Sequence, residues 1–176
     1  MTEFIDLYRA SHNGAPPAVD IWVIDLYPLT WDVVPMVNWQ IVADQLSEFR
    51  EYINSEVPEH ANTPIWVTEV ASHWAYSKLG FHPTQGTLII PTDLDPIDDY
   101  QWDAMEGYVV GLLDWLRANG PSLKIEKWFF YRAHVDTVSQ VAFDSYAGLY
   151  FFQDAGAGAA LNQIGQVYRD YALGLR

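Results

Sequence analysis

Three short apolar runs, 19–27, 64–69 and 125–131, are separated by stretches whose apolar residues recur at helical spacing. That alternation constrains the fold more than any other feature of the chain, because regular β–α alternation requires parallel strands joined by right-handed crossovers. The first run, Val19-Asp-Ile-Trp-Val-Ile-Asp-Leu-Tyr27, is nearly continuous and is followed by Pro28, which predicts a strand buried on both faces of a parallel sheet. Val42, Leu46, Phe49 and Ile53 follow at helical spacing and predict an amphipathic helix over 39–55. Met105, Tyr108, Val109, Leu112, Leu113 and Leu116 form the stripe of a second helix, with Asp98-Asp99 bringing negative charge to its start and Asn119-Gly120-Pro121 closing it. Leu161, Ile164, Tyr168 and Tyr171 mark a last helix that ends near Gly174. Phe4, Leu7 and Tyr8 share one face of an opening helix over 3–12, stopped by Asn13-Gly14. The order is a helix and then three strand–helix units. Residues 71–96, rich in His, Gly, Pro and Thr, read as a long loop.

A chain of 176 residues suits one domain, 1–176, and no linker or repeat divides it. Three covered strands do not close on themselves, so two lateral sheet edges are expected to lie open, with self-association as a consequence. The net charge is −14 with only 9 Lys and Arg, which argues against nucleic acid or an anionic membrane surface as partner. No apolar run approaches the roughly 20 residues of a membrane-spanning helix. A neutral ligand is fully compatible with this charge. Aromatic residues make up 15% of the chain, with 8 Trp and 11 Tyr, and such rings serve equally as core or as platforms for sugar rings. The absence of cysteine excludes disulfides and thiolate metal sites. His73, His82 and Asp93 match no zinc or calcium spacing. Gly156-Ala-Gly158 has no strand before it as a dinucleotide loop would, and no Gly-x-Ser-x-Gly elbow occurs. Neither a metal nor an organic cofactor is expected. Met1-Thr-Glu-Phe-Ile-Asp carries no signal-peptide pattern.

The chemistry of the chain is concentrated in Asn62-Thr-Pro-Ile-Trp-Val-Thr-Glu69, a strand that ends in a carboxylate. A Glu delivered at the C-terminal end of a parallel strand stands where βα loops build active sites. The alternative is a surface Glu at an ordinary turn. With Trp22-Val-Ile-Asp-Leu-Tyr-Pro28, Pro64-Ile-Trp-Val-Thr-Glu69 and Trp128-Phe-Phe-Tyr131 in view, the chain resembles the C-terminal part of a retaining (β/α)8-barrel glycoside hydrolase of β-glucanase type. Gly148-Leu-Tyr-Phe151, Leu161-Asn-Gln-Ile-Gly165 and Tyr168 are similar to the close of such barrels. The resemblance implies a partial TIM barrel comprising about the last three β/α units, with strands near 19–27, 64–69 and 125–131. It also implies hydrolysis of a neutral oligosaccharide or polysaccharide with retention, and a parent family that is often secreted.

By the same resemblance Glu69 is the catalytic nucleophile. The family's acid/base Glu follows Asn on another strand, and no Asn-Glu pair occurs in this chain. The chain is therefore expected to be an incomplete barrel, with Met1 an internal or misassigned start, or else a half-barrel completed by a partner. Weak or no activity is expected of it alone. A non-catalytic carbohydrate-binding or assembly module is the competing reading. The candidate substrate-binding residues are Asp25, Tyr27, His73, Trp74, Trp128, Tyr131 and Arg132. Asp25 stands where the family often has His, and is read as a ligand for a sugar hydroxyl, as a group that orients Tyr27 or Glu69, as a third carboxylate whose like charge raises a neighbour's pKa, or as a satisfied interior Asp. Tyr27 is a hydrogen-bond donor to the nucleophile or the sugar, or a core tyrosine. Trp74 is read as a stacking platform or as a loop-packing residue, Trp128 by resemblance as the floor of the sugar subsite, and His73 chiefly as a loop-stabilising group. Tyr131 faces the side of the strand opposite Trp128, and Arg132 is read as a partner for Glu69 or Asp25 or as a donor to loop carbonyls. Trp22 and Trp66, inside apolar strands, are read as core.

Overall fold

The computed structural model describes residues 2–30, 35–72, 80–82, 87–89, 101–131 and 160–176. It is a mixed α/β structure built on a small open sheet of three parallel strands. Along the chain come helix α1 (Thr2–Ser11), strand β1 (Trp22–Leu26), helix α2 (Trp39–Glu56), a 3-10 turn (Pro58–His60) and strand β2 (Ile65–Val70). Then follow β3 (Gly80–His82), β4 (Thr87–Ile89), α3 (Trp102–Asn119), β5 (Ile125–Phe130) and α4 (Gln163–Ala172). The parallel sheet has the order β1-β2-β5. The stretch read from sequence as a loop thus contains structure, since β3 and β4 pair antiparallel within it. Asp98, Asp99 and residues 148–158 lie outside the described residues.

Helix α2 begins where Asn38 caps it, its side-chain oxygen accepting from the Gln40 amide at 3.1 Å. Asn162 caps α4 in the same way, accepting from the Gly165 amide at 3.0 Å. Such a cap satisfies one of the donors that a helix start leaves open. All six stripe residues of α3 are buried, and they join Val42, Leu46 and Ile53 of α2 and Ile164 and Val167 of α4 in one core. Leu26, Ile65, Val67, Val70 and Ile125 supply the sheet side of that core.

One expectation is corrected here. Strand β1 is not buried on both faces: Trp22 and Ile24 pack against the core, whereas Val23 is 56% exposed and Asp25 is exposed. The core helices cover a single face, and Phe129 on the other face is 50% exposed. The near-continuous apolar run therefore reflects one packed face and one open face.

Arg50 fastens the N-terminal ends of the strands. Its side chain is buried under α2 and donates to the carbonyls of Leu123 at 2.9 Å, Ala61 at 3.2 Å and Thr63 at 2.8 Å. Those carbonyls belong to the segments that lead into β5 and β2. Burial lowers the guanidinium pKa, and the three bonds to carbonyl oxygens offset the cost of desolvating its charge.

Candidate active site

Strand β2 breaks the period of two. Its buried apolar residues stand at 65, 67 and 70, so Thr68 and Glu69 are two consecutive residues between two core positions. Both neighbouring strands register the extra residue. Against β1 the pairing steps from Ile24↔Val67 to Asp25↔Glu69, and against β5 from Val67↔Trp128 to Val70↔Phe130. This is a β-bulge, which re-aims side chains and recurs at barrel rims and beside active sites.

The bulge directs Thr68 and Glu69 to partners on β1. Thr68 Oγ1 donates to Asp25 Oδ1 at 2.6 Å, and Tyr27 Oη donates to Glu69 Oε2 at 2.7 Å. The ring of Tyr131, at the end of β5, meets that of Tyr27 edge to face with centroids 6.4 Å apart. Its backbone amide bonds the Val70 carbonyl at 2.9 Å, which ties the end of β5 to the end of β2. Behind the rim, the buried Tyr108 donates to the carbonyl of Ala71 at 2.9 Å and so fixes the chain just after the bulge.

Tyr27 titrates well above the ordinary tyrosine range. Burial is the main cause, followed by the hydrogen bond it donates to Glu69 and the negative charges of Glu69 and Asp25. It stays protonated at any physiological pH and serves as a fixed donor to the carboxylate. Glu69 Oε1 carries no hydrogen bond among the described residues.

Of the residues singled out from the sequence, the structure brings Asp25, Tyr27, Glu69 and Tyr131 to one rim. Trp128 stands elsewhere. It pairs with the buried Val67 on the neighbouring strand, packs against the helix-side core, and lines a groove with Tyr168 and Tyr171. His73, Trp74 and Arg132 lie outside the described residues. Trp66 is a correction: it lies on the open face rather than in the core, its indole N–H donating to Glu126 at 2.7 Å and the Lys127 ammonium 4.1 Å from its ring centre. Its strand position alternates with the core residues Ile65 and Val67, which forces it outward. Trp22 packs against the core as read, edge-on to Phe49 at 6.2 Å.

Thr68 was missed as a functional residue. The signal for it is the three-residue spacing from Val67 to Val70, which only a bulge accommodates. Among the described residues no group of three or more His, Asp or Glu is gathered as a metal site, and no helix is long and apolar enough to cross a membrane. Comparison of the chain with protein-family profiles, with curated proteins and with solved structures gave no match.

Proposed function

We propose that this chain carries the nucleophile half of a retaining glycoside-hydrolase site, on the C-terminal rim of part of a (β/α) barrel. The observation that carries the reading is the 2.7 Å hydrogen bond from Tyr27 to Glu69 on a bulge at the ends of parallel strands. A nucleophilic carboxylate needs one oxygen held and the other aimed at the anomeric carbon. Tyr27 holds Oε2, and Oε1 attacks. The bond from the anomeric carbon to the leaving oxygen then breaks, and a proton donor must neutralise that oxygen. Asp25, already accepting from Thr68, belongs to the nucleophile side of the site. The chain has no Asn-Glu pair to supply the acid/base of the family it resembles, so the proton donor comes from a partner and hydrolysis of unactivated polysaccharide by this chain alone is weak or nil.

This reading has a direct test. A dinitrophenyl glycoside departs as a stabilised phenolate and needs no proton. Incubated with a panel of such glycosides, the chain is expected to gain the mass of one glycosyl group on Glu69. The adduct should persist, because the chain lacks the Asn-Glu acid/base that in the resembled family activates water to release it, and Glu69→Gln should abolish it. Absence of an adduct across the panel overturns the nucleophile assignment. The second reading, a non-catalytic carbohydrate-binding or assembly module, draws support from the aromatic residues Trp66, Phe129 and Tyr131 outside the core on the open face. Saccharide binding that survives Glu69→Gln, without any adduct, would favour it.

A further inference from the structure

The two lateral sides of the sheet carry unlike surfaces. On the β5 side a groove of about 410 Å³ is walled by Trp128, Phe129, Tyr168 and Tyr171. Arg117 and Lys127 line it as well, and the Arg117 and Arg176 guanidinium carbons lie 4.7 and 5.8 Å from the Tyr171 ring centre. Two acids stand beside these cations and both are engaged: Glu126 accepts from the Trp66 indole N–H and Asp114 from the Tyr171 hydroxyl. In a chain with net charge −14 and only 9 Lys and Arg, three of those cations gather around one groove.

On the β1 side stands α1. It is held to the 3-10 turn by Arg9–Glu59 at 2.8 Å, and that turn meets β1 through His60, whose ring lies edge-on to Trp22 at 6.1 Å. The inner face of α1 buries Ile5. Its outer face presents Phe4 and Leu7, 59% and 64% exposed and one helical turn apart, with Glu3 and Asp6 exposed nearby. An exposed apolar stripe with acidic neighbours and an aromatic groove with a cationic rim are complementary in both chemistry and charge. The groove borders β5, one outer strand of the sheet, while α1 is tied through the 3-10 turn toward β1, the other.

We propose that copies of this chain associate head to tail, with α1 of one copy seating Phe4 and Leu7 in the aromatic groove of the next. Glu3 and Asp6 then face Arg117 and Lys127. Such a contact is heterologous, joining two different patches, and not a two-fold interface. Its small size makes it weak and salt-sensitive.

Sedimentation velocity on the full chain tests this from micromolar to hundreds of micromolar concentration at low salt. The average mass is expected to rise with concentration and to fall when salt is added. Leu7→Lys damages the helix patch and Ala172→Glu places an acid in the groove. Both positions are exposed, and circular dichroism checks that each variant stays folded. Each variant alone should remain monomeric, while an equimolar mixture should form a one-to-one dimer and stop there, because one intact helix patch meets one intact groove. A wild-type chain that stays monomeric, variants that still assemble alone, or a mixture that does not pair would each overturn the proposal.

Discussion

Arg50 offers the sharpest measurement of what holds the strand ends together. Its three bonds, at 2.9, 3.2 and 2.8 Å, tie α2 to the carbonyls that precede β5 and β2. Bonds to an ionised donor contribute ~1.5 kcal/mol each at the low end, which puts the loss of all three at about 4.5 kcal/mol. Arg50→Met keeps the apolar stem and removes a desolvated charge, which returns about 1–2 kcal/mol. The expected destabilisation is about 3 kcal/mol, a large share of the roughly 5–15 kcal/mol that holds a domain folded. Arg50→Lys keeps the charge but offers one point donor to three divergent carbonyls, so about half the loss should remain. Urea unfolding followed by tryptophan fluorescence at neutral pH reads these differences from midpoints at constant slope. A loss below about 1 kcal/mol in Arg50→Met would mean that water satisfies the carbonyls and would refute the argument.

Helix α3 provides an internal contrast. A Cβ at Gly111 would lie 2.1 Å from the Trp39 indole nitrogen, so Gly111→Ala should destabilise by about 1–3 kcal/mol. Gly107 has nothing within 4 Å, and Gly107→Ala should stabilise by about 0.5–1 kcal/mol through helix propensity alone; equal effects at the two sites would contradict the packing. Tyr27, Tyr108 and Tyr171 all have raised pKa values in the folded state, burial being the first cause in each. The stability they contribute is full below the unfolded value of about 10 and declines as pH rises beyond it toward the folded values. The urea midpoint should therefore fall above about pH 10, and less steeply in Tyr27→Phe; an unchanged slope would remove Tyr27 from the account. In the glycosyl-trapping assay, Tyr27→Phe should slow adduct formation on Glu69 about tenfold, the equivalent of roughly 1.4 kcal/mol, with a rate equal to wild type counting against a positioning role.

The sequence by itself determined the order of helices and parallel strands, because apolar spacing differs between the two and survives any packing arrangement. The stripe of α3, the closure at Asn119-Gly120 and the strand ending in Glu69 were all legible that way. The bulge was legible in principle, since 65, 67 and 70 break the strand period, and Arg50 stands out as a cation four residues after Leu46 on the buried stripe of α2. Neither observation names a partner. Thr68 meeting Asp25, Tyr27 meeting Glu69 and Arg50 meeting three carbonyls join residues 42 to 73 positions apart, or across turns whose path no local pattern fixes. Which face of the sheet is covered was also decided only in three dimensions. An apolar run reads the same whether one face or both are packed, and it is the helices gathered on a single side that turned Trp22 and Trp128 inward and left Trp66 on the open face.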